Sequence, residues 1–321
     1  MTELLLRKSM PMMWREWVQS GRLKGELLRL LCAGCWFGLA ALVMAIVQMN
    51  GDSLHARNVK SPLEAATALL QIPTFNTLFD VSFDSLPQLA PTNPFNPDNV
   101  LHSFILASVV AGLFHWPLLT FIARLRRFGW LFGTGYLLRM CSLASTVLPP
   151  SNPLCVPVER TLPQMFLTAP KLLFGMLHTC TDKLFSGHTM VATLLVWFWQ
   201  DARSAVGDRW FSPWRAYPVV HSLLMVLASV MGWNHYTVDI VLAFIIATLL
   251  HWVYKELLVI GQLQTRYASG GSCGAESDEI KSVPRWLVQL CAWCDGADLV
   301  TLVVPEDDTI AGGQGHYMQI V

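Results

Sequence analysis

The chain has 321 residues, 22 basic and 22 acidic side chains, 53% hydrophobic residues and only 14% charged ones. A soluble globular domain carries about 25% charged residues, so the shortfall places the chain among membrane proteins. A net charge of zero argues against nucleic acid as a partner, since phosphate binding needs a basic face, and eight scattered cysteines are too few for a small disulfide scaffold.

A spanning helix needs about 20 mostly apolar residues. Residues 1–26 read as a short cytoplasmic segment, and the first apolar window runs from Leu27 to Met49. Its core is too long for a cleaved signal peptide, and no small-residue cleavage site follows it. Residues 50–102 are rich in Pro, Asn and Asp and read as an exposed loop with one short interfacial helix near 63–71. The second window is Ser103 to Ala123, and the third is Trp130 to Leu148 with Arg139 inside it. Met165 to Met176 is apolar but interrupted by Pro170 and Lys171, so it reads as interfacial or re-entrant. The fourth window, Thr189 to Trp199, reaches span length only if its helix starts near Phe185. The fifth is Tyr217 to Trp233 and the sixth Val238 to Tyr254. Residues 258–321 read as a cytoplasmic tail, with a polar linker followed by a small amphipathic piece around Trp286 and Trp293.

The expected fold is therefore an all-α integral membrane protein with six transmembrane helices in residues 27–257 and both termini cytoplasmic. The basic residues agree with that topology. The short cytoplasmic pieces, including 124–129 and 200–216, hold eleven Lys and Arg, against five (Arg57, Lys60, Arg160, Lys171 and Lys183) in the longer opposite loops. This is the bias of the positive-inside rule.

Two motifs then fall at one membrane level. Ser186-Gly187-His188-Thr189 opens the fourth span, and His235-Tyr236-Thr237-Val238-Asp239 opens the sixth. His235 and Asp239 are four apart and share a helix face. A carboxylate there fixes the tautomer of the imidazole and raises the basicity of its other nitrogen. A single histidine at a helix end is usually an interfacial polar residue, and His115, His221 and His251 read that way. An aspartate at a span is costlier, and two histidines with one aspartate on one side point to chemistry. Phosphoryl transfer fits: one imidazole attacks phosphorus and the other protonates the leaving alcohol. A zinc site is the rival, and ranks lower because neither motif has the usual helical ligand spacing. We expect no metal and no cofactor.

Arg139 is a cation inside a span, which is expensive unless it meets an anion. It reads either as a phosphate clamp or as half of a structural ion pair. Tyr136, three residues earlier, shares its face, with packing as the plain alternative. Arg126 and Arg127 read as anchors to anionic lipid.

These residues carry a resemblance. The two histidine motifs, together with Arg126, Arg127, Tyr136, Arg139, Thr146, Leu148 and Pro149 in the run "RRFGWLFGTGYLLRMCSLASTVLP", resemble the sphingomyelin synthase family. That family includes inositol-phosphorylceramide and ceramide-phosphoethanolamine synthases and is distantly similar to lipid phosphate phosphatases. The match covers about Arg126 to Val253. The resemblance implies a lipid phosphate phosphatase-like core and a reaction in which a glycerophospholipid gives its phospho-headgroup to the primary hydroxyl of ceramide, releasing diacylglycerol. It assigns catalysis to His188, His235 and Asp239, with His235 as nucleophile and His188 as acid and base; direct transfer with the His235/Asp239 pair as base stays open. It makes Arg139, Tyr136, Ser186, Tyr236 and Lys183 candidates for substrate binding.

The resemblance also implies a multi-pass Golgi or plasma-membrane protein whose site faces the lumen or exterior, with membrane lipids as partners and a homo-oligomer as an open arrangement. An oxidising lumen would favour a Cys155–Cys180 disulfide, and Cys291 and Cys294 are palmitoylation candidates. Family members commonly read Cys-Gly-Asp where this chain reads Cys180-Thr181-Asp182, which changes the freedom of that loop. The Ser-Arg pair usual in the phosphatase branch is absent before His235, which favours transferase over phosphatase. A transporter or scaffold is the third class; Arg139 and Asp239 alone stand out as intramembrane charges, which gives transport little support. Among headgroups phosphocholine is favoured, with inositol and ethanolamine as alternatives. Asp80, Asp84, Asp98, Glu159, Phe75, Phe79 and Tyr236 are candidates to meet a cationic headgroup.

Overall fold

A computed structural model describes residues 22–59, 80–90, 93–115, 118–148, 150–151, 155–173, 175–201, 213–268 and 283–295. The short helix expected near 63–71, the cytoplasmic residues 1–21, the linker after Ala268, and Phe75, Phe79 and Pro149 lie outside the described residues. Among those described there are nine helices and no strand: α1 (Arg22–Val59), α2 (Val81–Ser85), α3 (Pro97–His115), α4 (Leu118–Ser145), α5 (Leu162–Leu173), α6 (Gly187–Asp201), α7 (Pro213–Met231), α8 (Thr237–Ala268) and α9 (Arg285–Asp295).

Among the described residues three stretches are long and apolar enough to cross a membrane: Lys24–Arg57, Pro97–Phe114 and Thr237–Gly261, with Ala216–Met231 a shorter apolar helix. The polarity of the surface is inverted relative to a water-soluble bundle. Leu106, Leu113 and Phe114 on α3, Val220, Leu223 and Leu227 on α7, and Val241, Phe244 and Ile245 on α8 are exposed, while Ser108, Ser229, Asp239 and His251 are buried. Apolar faces this extensive belong against lipid, with the polar groups turned inward.

Helix starts follow local chemistry. Asn96 caps α3 by accepting the Asn99 N–H at 3.1 Å, Pro97 fills the first helical position where its missing N–H costs nothing, and Asp98 sits in the first turn, where an anion suits the helix dipole. Ser186 caps α6, its Oγ accepting the Thr189 N–H at 3.2 Å. At the start of α8, Asp239 reaches back to the Tyr236 N–H at 3.0 Å, the acid half of a capping box.

The helices do not share the bounds of the apolar windows. α1 continues past Met49 to Val59, and α3 begins six residues before Ser103 but ends at His115, so the last part of the second window, up to Ala123, belongs to α4. The basic run 124–127 lies inside α4 rather than in a connecting segment; a run of long side chains is compatible with a helix, and no glycine or proline interrupts it before Gly129.

The described residues fall into two compact units. The first comprises parts of Met1–Trp36, Trp116–Trp130 and Val253–Tyr317. Within it Glu26 pairs with Arg126 and, at 2.9 Å, with Arg29. Arg126 is 1% exposed, so it is committed to an internal ion pair and does not face lipid headgroups as the sequence reading expected. Trp36 packs on Trp130 at 5.7 Å, and α9 lays Val288 and Ala292 against Gly261. Cys294 is buried in this packing and Cys291 half-buried.

The second unit comprises Phe37–His115 and Leu131–Trp252, with the four C-terminal residues that lie outside the described ones. α6 and α7 pack on each other and both on α3. α5 is amphipathic despite Pro170; it buries Met165 and Ala169 against Ala45 and Met49 of α1 and leaves Phe166 and Leu167 exposed.

Candidate functional site

Every candidate site residue lies in the second unit. Its centre is the segment 179–186, held along its length by Asp52, Gln48, Arg139, Asn234 and Asp239. The Cys180 and Thr181 N–H groups both donate to Asp52 Oδ1 at 3.0 Å, and the Thr181 hydroxyl donates to the same oxygen at 2.8 Å. Asp182 Oδ2 accepts from Gln48 and from Arg139 Nη2, each at 2.7 Å. Lys183 Nζ donates to the Asn234 carbonyl at 2.5 Å. The Leu184 N–H donates to Asp239 Oδ1 at 2.8 Å and the Ser186 N–H to the Asp239 carbonyl at 3.2 Å. Leu184 has φ +95°, a conformation rare for a residue with a side chain, so this hold on the loop keeps a strained position in place. Cys180 is also joined to Cys155 by a disulfide with Cα atoms 5.6 Å apart.

That loop delivers His188 to one wall of a cavity of about 490 Å³, and the α7–α8 turn delivers His235 to another. The two ring centroids are 5.8 Å apart. Each imidazole has its own carboxylate. His235 Nδ1 is 3.6 Å from Asp239 Oδ2, longer than a hydrogen bond but close enough for charge. His188 Nε2 meets Asp98 Oδ1 at 2.8 Å, a partner that the sequence reading had offered only as a contact for a cationic headgroup. Asp98 Oδ2 lies 3.9 Å from Nδ1 of the solvent-exposed His178.

The electrostatics favour a neutral imidazole at His235. The residue is 2% exposed, and burial pushes its pKa down to about 4, with Lys183 adding to the push and Asp182 and Asp239 opposing it. Burial pushes the Asp182 carboxyl up, but Lys183 and Arg139 outweigh it and hold the group below the usual carboxylate range. Among the described residues no group of three or more His, Cys, Asp or Glu is placed to hold a metal ion.

The other candidates divide. Tyr136, Arg139 and Lys183 line the cavity. Arg139 is buried and committed: besides Asp182 it donates through Nε to the Phe185 carbonyl at 2.7 Å and sets Nη1 3.3 Å from Met44 Sδ. Gly187 is what admits it, since a Cβ there would stand 2.8 Å from Arg139 Nη1. Ser186 and Tyr236 are buried and do not line the cavity. Ser186 caps α6, and the Tyr236 hydroxyl donates to the Pro150 carbonyl at 3.1 Å.

Three of the four acids offered for a cationic headgroup are engaged by protein donors. Asp98 holds His188, Glu159 takes Arg57 Nε at 2.8 Å, and Asp80 accepts the Thr237 N–H at 2.6 Å and its hydroxyl at 2.8 Å. Burial pushes the Asp80 carboxyl up, and the bonds from Ser82 and Thr237 outweigh it and keep it low. The side chain of Asp84 is outside the described residues.

Comparison with known proteins gives two findings. Residues 179–256 match the family described as PAP2 superfamily C-terminal. The chain is also similar to phosphatidylcholine:ceramide cholinephosphotransferase 1. With the Rattus norvegicus protein it is 30% identical over 156 residues, 45% of this chain and 36% of that protein. With the Homo sapiens protein it is 29% identical over 156 residues, 45% of this chain and 37% of that protein. With the Gallus gallus protein it is 28% identical over 162 residues, 46% of this chain and 38% of that protein. The matched region thus spans little more than a third of the length of these curated relatives.

Proposed function

We propose that the protein is a ceramide phosphotransferase of the membrane, moving a phospho-headgroup from a glycerophospholipid to the primary hydroxyl of ceramide and releasing diacylglycerol. One observation carries the reading: two imidazoles face each other across a single cavity, each backed by its own carboxylate. That is the arrangement a double displacement at phosphorus needs.

In this mechanism His235 Nδ1 faces Asp239, leaving Nε2 to attack phosphorus; burial keeps that imidazole neutral and so nucleophilic. The bond from phosphorus to the diacylglycerol oxygen breaks as His188, protonated and steadied by Asp98, gives that oxygen its proton. Ceramide then enters. Its hydroxyl gives its proton back to His188 and attacks the phosphohistidine, restoring His235. Lys183 and Tyr136, both on the cavity wall, are the groups we assign to the substrate. Arg139 serves by holding Asp182 and Phe185, and Ser186 and Tyr236 by fixing the helix mouths.

Phosphocholine is the headgroup that the relatives' names favour. The three shorter or less apolar windows, in α4, α6 and α7, complete six spans in residues 27–257, with 1–26 and 258–321 cytoplasmic. The Cys155–Cys180 bond beside the cavity supports a site on an oxidising face, the Golgi lumen or the cell exterior.

The test supplies fluorescent ceramide to the purified protein in liposomes with phosphatidylcholine, phosphatidylethanolamine or phosphatidylinositol separately, and with no donor. A donor-dependent phosphosphingolipid that disappears in His188→Ala and His235→Ala is the expected result. Phosphate release from phosphatidic acid, with no ceramide product from any donor, would instead make the protein a lipid phosphate phosphatase.

A further inference from the structure

Asp52 is a carboxylate buried to 1% exposure inside the span-length stretch Lys24–Arg57. A group this costly to bury is retained where its bonds do something, and none of its bonds serves α1 itself. Oδ1 takes three donors from the 179–186 segment: two successive backbone N–H groups and the Thr181 hydroxyl. Oδ2 lies 3.9 Å from Arg160 Nη1. One turn earlier on the same face, Gln48 donates to Asp182. One residue later, Ser53 Oγ accepts the Arg160 N–H at 3.0 Å. The end of α1 therefore grips both arms of the loop that the Cys155–Cys180 bond ties together. The grip falls just before Lys183, on the cavity wall, and six residues before His188.

The Thr181 hydroxyl bonds to Asp52 at 2.8 Å, and a Cβ placed on the facing Gly51 would come within 3.2 Å of Thr181 Oγ1. Thr181, Asp52 and Gly51 fit one another as a set.

We propose that Asp52 is a positioning residue for the transfer site, acting through Thr181 to set where the loop places Lys183 and His188. Its role in turnover rests on the transferase reading above; its hold on the loop does not, and the experiment separates the two. Wild type, Asp52→Ala, Asp52→Asn, Thr181→Val, Thr181→Ser and Asp52→Ala/Thr181→Val are compared in liposomes with the preferred donor. Folding is checked by thermal unfolding, and hydrogen exchange is followed in the peptide covering 179–186.

Misplacing a reacting group by about 1 Å costs about 100-fold, so Asp52→Ala should lower kcat by roughly 10- to 100-fold with KM for ceramide little changed. Thr181→Val should move in the same direction, Thr181→Ser should restore activity, and Asp52→Asn, which keeps Oδ1, should lie nearer wild type. The double variant should be no worse than Asp52→Ala, because both remove one interaction. Exchange at 180–181 should speed up in Asp52→Ala, Thr181→Val and the double variant, and stay near wild type in Thr181→Ser. Should Asp52→Ala not fold, the Thr181→Val and Thr181→Ser pair decides. Wild-type kcat and wild-type exchange in folded Asp52→Ala or Thr181→Val would overturn the proposal. A wild type that transfers nothing from any donor overturns the transferase reading instead, and the exchange data then judge the hold of Asp52 on the loop by themselves.

Discussion

The bond between His188 and Asp98 makes the sharpest prediction. His188 Nε2 and Asp98 Oδ1 are 2.8 Å apart with both side chains mostly buried. If His188 carries the proton to and from the two alcohols, Asp98 holds the ring in register and stabilises its charged form. Replacing Asp98 by Asn preserves size but removes the charge, and the amide can present an N–H where the imidazole needs an acceptor. A hydrogen bond to a charged group is worth about 1.5–3 kcal/mol, which translates to about a 10- to 150-fold loss in kcat. The loss should fall on kcat more than on KM, since the charge on His188 matters most as the leaving alcohol departs. The assay is initial-rate transfer to fluorescent ceramide by purified wild type and Asp98→Asn in liposomes, with thermal unfolding in detergent to confirm the fold. A folded Asp98→Asn enzyme within about twofold of wild-type kcat, less than about 0.5 kcal/mol of barrier, would refute the role assigned to this pair.

Two further predictions concern packing and protonation. Gly187→Ala would bring a methyl to 2.8 Å from Arg139 Nη1 and 3.1 Å from its Cζ; crowding a committed, buried guanidinium should cost about 1–3 kcal/mol, read as a lower thermal midpoint, and an unchanged midpoint would show that Arg139 has room to move. For His235 the folded pKa, about 4, lies below the ordinary value of 6.5. Between these values the unfolded chain binds a proton that the folded one does not, so stability should fall as pH drops through that window, by on the order of 3 kcal/mol in total. Above pH 6.5 the residue contributes no slope. Thermal unfolding at pH 7 and pH 5 should therefore show a steeper loss in wild type than in His235→Gln, and equal losses would contradict a neutral buried imidazole.

What the sequence revealed depended on whether the signal was local. His235 and Asp239 are four apart at a helix start, which is a pairing that helical periodicity shows, and the structure sets His188 and His235 on the walls of one cavity with Asp239 buried beside His235. Gly187 could be seen as part of a motif, but its reason, the Arg139 guanidinium lying against it, needed the tertiary structure. Asp98 and Asp52 were missed as partners because each pairs with a residue some 90 or 130 positions away, and no periodicity encodes that. A signal existed for both. Asp52 looked like a loop acid because the apolar window was ended at Met49, whereas α1 runs to Val59. Asp98 lay in what was read as a loop before Ser103, whereas it sits in the first turn of α3. The end of α1 and the start of α3 extend beyond their apolar windows, and the polar residues in those extensions, Asp52 and Asp98, bond to the 179–186 segment and to His188. Arg126 shows the reverse error: positive charge near a membrane end suggested lipid headgroups, and a buried Glu26 claims it instead.

In the proposed reaction a headgroup passes between two lipids through the paired imidazoles. The most direct measurement follows a headgroup-labelled phosphatidylcholine in liposomes containing the purified protein, with and without ceramide, for wild type, His188→Ala and His235→Ala. Label should appear in a phosphosphingolipid only when ceramide is present, with one diacylglycerol formed per label moved, and neither product should form in the two variants. Undiminished transfer by His235→Ala would contradict that reaction.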